Sequence, residues 1–204
     1  MLGLNPTALL YVGVALVVAA SVHEFAHAYV ADRLGDPTPR SQGRLTLNPL
    51  AHLDLVGSLL ILLAGFGWAK PVQVDPMNFR DRRRGMILVA AAGPLANITV
   101  LFLLGVPYKL GLLAFGATVL DRLLVVTIRI NAMLAIFNLI PVPPLDGSKI
   151  LIGLLPPPQA AAYARLQPYG VLLLLLLVVT NAISVVLIGP IRWLVAQAMG
   201  TGLF

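Results

Sequence analysis

The chain has 204 residues, 59% of them hydrophobic and 11% charged, with a formal net charge of +6. A soluble domain carries about a quarter charged residues, so this composition excludes a water-solvated globule and points to a chain bathed mostly in lipid. Cysteine is absent, which excludes disulfides, thiolate metal sites and a cysteine nucleophile, and leaves His, Asp and Glu to bind any metal.

Crossing a bilayer takes roughly 20 apolar helical residues. The first such stretch, Thr7–Ala31, has no basic region before it and runs into His23 and Glu24 without a cleavage pattern. It is expected to stay in the mature protein rather than be removed as a signal peptide. The loop that follows, residues 32–85, holds eight of the fourteen Lys and Arg against five acids. That bias marks a cytoplasmic loop, and it argues against nucleic acid as a partner. Within the loop, Gly43–Leu47 and Pro71–Asp75 alternate polar and apolar residues, which predicts a small hairpin-like sheet at the membrane surface. Leu55–Phe66 is too short for a span and is expected to re-enter the membrane or lie at its interface. Trp68 and Lys70 beside it read as interfacial anchors.

Two more spans are expected over Met86–Pro107 and Leu110–Leu139. The latter contains Asp121, Arg122 and Arg129, so it should begin after Arg122 or be buried against its neighbours. Pro141–Gln167 then returns to the cytoplasmic side, and Pro168–Ile188 forms a last span. The predicted fold is therefore an all-α polytopic membrane protein of about four transmembrane helices. To these are added the short re-entrant or interfacial segment and the small sheet. Residues 1–204 form a single membrane-embedded domain, with a core at about 7–155 and an additional C-terminal span at about 168–190. Its first partner is the lipid bilayer, and the expected location is the cell membrane.

The chemistry concentrates in His23-Glu24-Phe25-Ala26-His27, an HExxH motif. Residues four apart lie roughly 6 Å apart along one helix face, so both imidazoles converge on one zinc ion. Glu24 is then left to act as general base on water. The chain has three His and one Glu, and that Glu sits inside this motif. An ionisable group in an apolar span costs at least about 2.5 kcal/mol, and a metal supplies the compensation. A tetrahedral catalytic zinc needs a third protein ligand. Asp32 and Asp36 follow the helix at the interface, and Asp121 belongs near the opposite face, which leaves Asp146. Prolines 141, 143 and 144 forbid a continuing helix before it, and the unwound turn ending in Asp146-Gly147 would aim a carboxylate at the metal. Asp146 would also suit capping of the next helix. His23 lies nine residues before Asp32, roughly 13 Å of helix, so the metal sits inside the bilayer nearer the cytoplasmic face.

Two amides embedded in apolar spans, Asn97 and Asn138, are candidates for substrate or oxyanion contact, or for bonding backbone freed beside Pro94 and Pro141. His52 is a candidate to support the site from behind a ligand, with a structural role at the membrane interface as the competing reading. HEFAH, GPLAN and NLIPVPPLDG, with GRLTLNPLAHLDLVG and GWAKPV between them, closely resemble the site-2 protease family of intramembrane metalloproteases. The likeness covers residues from about 20 to 155 and is nearest to the short prokaryotic members without PDZ or CBS domains. It implies one zinc held by His23, His27 and Asp146, catalysis by Glu24, and a transmembrane protein as substrate. The alternatives are a non-proteolytic zinc-binding scaffold or chaperone, against which Glu24 argues, and a metal transporter, for which the spans lack a path of ionisable residues.

Overall fold

The computed structural model describes residues 6–54, 57, 70–114 and 118–200. Among them the regular elements are helical: α1 (Pro6–Arg33), α2 (Thr38–Ser41), α3 (Arg82–Lys109), α4 (Val119–Asn138), α5 (Asp146–Leu154), α6 (Pro157–Ala164), α7 (Gly170–Val179) and α8 (Ala182–Met199). By length and composition, four helical stretches are apolar enough to cross a membrane: Thr7–Arg33, Arg82–Lys109, Pro157–Val179 and Ala182–Met199. At 28 residues, α1 and α3 each reach about 42 Å, longer than the hydrocarbon core.

Helices α1, α3 and α4 pack on one another, and α8 closes against α3 and α4. Leu101, Tyr108, Ile128, Ala132, Leu194, Val195, Ala198 and Met199 form the core between the last three. Small residues allow the approach: Ala15, Ala19, Ala28 and Ala31 of α1 are fully buried. A Cβ added to Gly105 would lie 2.8 Å from the Cβ of Ala198. Outward faces carry exposed Leu103, Leu172 and Val185, as expected where the surrounding solvent is lipid.

The expected third span, Leu110–Leu139, is not among the four apolar stretches: its helix α4 starts before Arg122, keeps Asp121, Arg122 and Arg129, and packs against its neighbours. Thr118 and Asp121 form a reciprocal capping box, so the helix opens at Val119 with Asp121 in its first turn. Thr127, Ile128, Asn131, Ala132 and Ala135 turn inward along its buried side. The final apolar stretch is divided rather than continuous. Asn181 adopts a left-handed conformation, φ 56°, and separates α7 from α8. Asn reaches that region at low cost because its short polar side chain bonds locally.

The predicted sheet is absent: no β-strand occurs among the described residues. Residues 43–47 and 71–75 do not pair because side chains take the backbone groups that a ladder would use. The Val72 N–H donates to Glu24 Oε2 at 2.9 Å, and the Asp75 N–H to Asp36 Oδ2 at 2.8 Å. Arg44 donates to the carbonyls of Ala51, Lys70 and Pro71. Asp36 is fully buried and also accepts from the Thr38 N–H and hydroxyl and from Asn78 Nδ2, so one carboxylate clamps residues 75–78 to the end of α1. Leu55–Phe66 and Trp68, for which interfacial roles were expected, lie outside the described residues apart from the isolated Gly57.

Candidate metal centre

His23 and His27 share one face of α1, with ring centroids 4.6 Å apart. Asp146 opens α5, immediately after the Pro-rich turn. Leu145 is the residue before the helix, and no side chain caps it. Asp146 therefore does not serve as a helix cap; its carboxylate turns to α1. Oδ2 lies 3.0 Å from His23 Nε2 and 3.1 Å from His27 Nε2. Exposures of 4%, 7% and 5% for His23, His27 and Asp146 make all three donors buried.

Two close contacts set this geometry. A Cβ at Gly147 would lie 2.3 Å from the Leu139 carbonyl oxygen, so only glycine lets the turn fold back on the end of α4. A Cβ at Gly93 would lie 2.5 Å from His27 Nε2 and 2.6 Å from His23 Nε2, so the bare backbone of α3 forms one wall of the cradle. Pro94 follows, within the helix. Arg83 donates to the carbonyls of Gly153 and Leu155 and fastens the far end of α5 to the first turn of α3.

The hydrogen bonds behind the imidazoles decide what the cluster can hold. His27 Nδ1 meets the Val89 carbonyl oxygen at 2.7 Å, an acceptor only. His23 Nδ1 meets Asn97 Oδ1 at 2.6 Å. Both Nδ1 atoms therefore carry the proton, and in neutral imidazoles both Nε2 lone pairs face the Asp146 carboxylate. Three lone-pair donors pointing at one another repel unless a cation lies among them. One ligand atom from each residue lies within 4.8 Å of the other two. Two His and one carboxylate are a donor set of catalytic zinc sites, and a zinc ion fits them.

A cavity of about 250 Å³ opens beside the cluster. Glu24, Val72, Asn138 and Lys149 line it with the three donors. The Val72 N–H holds the Glu24 carboxylate at the cavity wall. Asn138 spends one amide hydrogen on the Leu134 carbonyl at 3.0 Å. Lys149 Nζ donates to Asp146 Oδ1 at 3.0 Å, leaving Oδ2 to the histidines.

Peptidase family M50 matches this chain over residues 108–177. Two similar proteins carry the name "Putative zinc metalloprotease". YwhC of Bacillus subtilis is 43% identical over 183 residues, 87% of this chain and 84% of the relative. Rip2 of Mycolicibacterium smegmatis is 32% identical over 189 residues, 85% of this chain and 71% of the relative. The chain belongs to peptidase family M50. That is the site-2 protease family, and its members here are named as zinc metalloproteases. No solved structure is a significant match to the chain.

In this M50 chain the sequence-derived candidates separate. His23, Glu24, His27, Asp146 and Asn138 meet at one cavity, whereas Asn97 lies behind His23 and does not line it. Asn97 is fully buried, and its amide nitrogen is spent on the Ala19 carbonyl and Asn131. His52 is brought to neither imidazole. Its Nε2 meets the Thr46 carbonyl at 2.7 Å, and its own carbonyl accepts from the Lys70 N–H at 2.8 Å, so it braces the loop. Sequence reasoning missed Asn131 and Lys149, and singled out Gly93 only as part of GPLAN, without a role. Lys149 had a signal, lying three residues after Asp146 on the same helix face; Gly93 and Asn131 owe their roles to packing between helices.

Proposed function

We propose that this M50 protein is an intramembrane zinc protease that hydrolyses peptide bonds in or beside membrane-spanning segments of other proteins. In this reading His23, His27 and Asp146 hold one zinc ion and Glu24 is the general base. The observation that carries it is the convergence of two imidazole Nε2 atoms and a carboxylate beside a cavity that Glu24 also lines. When bound, zinc supplies a Lewis acid that acidifies water and polarises a carbonyl. Glu24 accepts a proton from the attacking water as its oxygen bonds to the scissile carbon. It returns that proton to the leaving amine as the C–N bond breaks. Asn138 offers its remaining amide hydrogen to the oxyanion.

The whole chain acts as one membrane domain in this reading, with residues 32–85 cytoplasmic and the metal nearer that face. Support comes from the concentration of cations in that loop. His23 also precedes the end of α1 at Arg33 by ten residues, about 15 Å of helix. A membrane substrate incubated with purified wild type and Glu24→Gln tests the reading, with zinc measured in both. The expected outcome is zinc in both and a fall in turnover of about 10²–10⁴-fold in the variant, the range for losing a general base. Zinc-loaded wild type that cleaves no membrane substrate supports a scaffold instead.

A further inference from the structure

We infer that Asn131, which touches neither the metal donors nor the cavity, is a positioning residue for the metal site, acting through Asn97 on the tautomer of His23. The inference rests on His23 being a ligand, as proposed above. Three helices contribute to one line of buried polar side chains, two amides and an imidazole. Asn97 of α3 and Asn131 of α4 are both fully buried, and His23 lies in α1. His23 Nδ1 meets Asn97 Oδ1 at 2.6 Å, and Asn97 Nδ2 donates to Asn131 Oδ1 at 2.8 Å and to the Ala19 carbonyl at 3.0 Å. Asn131 Nδ2 donates to the Thr127 carbonyl at 2.9 Å.

The order of donors in this line is forced. A backbone carbonyl accepts and never donates, so the Thr127 carbonyl must face the Asn131 nitrogen. Asn131 therefore presents oxygen to Asn97. Oxygen there, together with the Ala19 carbonyl, requires the Asn97 nitrogen on that side, which turns the Asn97 oxygen to His23. An oxygen beside Nδ1 holds the proton on Nδ1 and leaves the Nε2 lone pair free to ligate. Were the Asn97 amide reversed, its N–H₂ would face Nδ1, select the Nε2–H tautomer and cost the site a donor. Removing the Asn131 oxygen strands one Asn97 N–H in an apolar interior and weakens the bias toward the ligating tautomer.

Outer partners of metal-bound histidines are worth about 10–100-fold in metal affinity, and Asn131 stands one residue further out, so the lower end applies. Zinc affinity of the detergent-solubilised full chain, by chelator competition, is the readout, with cobalt(II) absorption reporting ligand geometry. Asn131→Leu should weaken zinc about tenfold and alter the cobalt spectrum. Asn131→Asp, protonated in this apolar setting, keeps an oxygen for Asn97 and an O–H for Thr127, and should stay within about threefold of wild type. Equal loss in both variants, or in neither, overturns the inference; Asn131→Ala replaces the Leu variant if that does not accumulate. His23→Ala separates the two readings. If it retains zinc at wild-type affinity, the ligand assignment fails. If it abolishes binding while Asn131→Leu binds normally, only the relay fails.

Discussion

Replacing Gly93 with alanine adds one methyl group at the point where α3 meets both imidazoles. The new Cβ would stand 2.5 Å from His27 Nε2 and 2.6 Å from His23 Nε2, whereas ordinary contact begins at 3.4 Å. Each ring nitrogen would have to retreat by nearly an ångström. Zinc–nitrogen bonds of about 2.0–2.1 Å tolerate only about 0.2 Å of error, so both donors are lost together. We expect zinc affinity to fall by at least about 100-fold, at or beyond the upper end of what outer partners cost. The fold should survive, since alanine is favoured over glycine in a helix by about 1 kcal/mol. Chelator competition on the purified protein, with thermal unfolding alongside, measures both effects. Gly13→Ala is the control, because nothing lies within 4 Å of a Cβ at that position in α1. Zinc binding by Gly93→Ala within twofold of wild type would refute the picture of the α3 backbone as a wall of the cradle.

Lys149→Met removes the partner of Asp146 Oδ1 while keeping the apolar stem, and zinc affinity should drop about tenfold in the same competition assay. Asn138→Ala should retain zinc and lose about 10²–10³-fold in kcat, as for a lost oxyanion donor, whereas Asn97→Ala should lose zinc first. Asp36 lies outside the spanning helices; burial pushes its carboxyl pKa up, but the Thr38 hydroxyl and the Asp75, Thr38 and Asn78 N–H donors outweigh this and hold it below the ordinary value. Its stabilising contribution is therefore complete above about pH 4 and is lost as pH falls through the lower folded value. Asp36→Asn turns one acceptor into a donor facing a donor, at about 1–3 kcal/mol; hydrogen exchange over residues 70–79 should quicken in the variant, and in wild type only in acid.

The helical part of the site was legible because the α-helix repeat is fixed: His23 and His27, four positions apart, share one face. Asp146 was reached by elimination among the acids, with the prolines that follow α4 and the family resemblance in support. The sheet failed for a physical reason. Alternation at Pro71–Asp75 reports an extended backbone with Val72 and Val74 against the cavity, and says nothing about what its N–H groups bond to. Here they bond to Glu24 and Asp36. Likewise, Asn97 and Asn138 look alike as amides in apolar helices. Which one faces a histidine and which faces the cavity depends on how α1, α3 and α4 are rotated, and no local pattern encodes that.

The three donors are far apart in the order of synthesis. Asp146 follows His27 by 119 residues and His23 by 123. A nascent chain therefore inserts its histidine pair into the bilayer long before the carboxylate exists, and no three-donor cradle can form until α5 has been made. In the proposed zinc-bound protein, loading is thus a late step of biogenesis, and the ion ties α1 to the nine-residue helix α5.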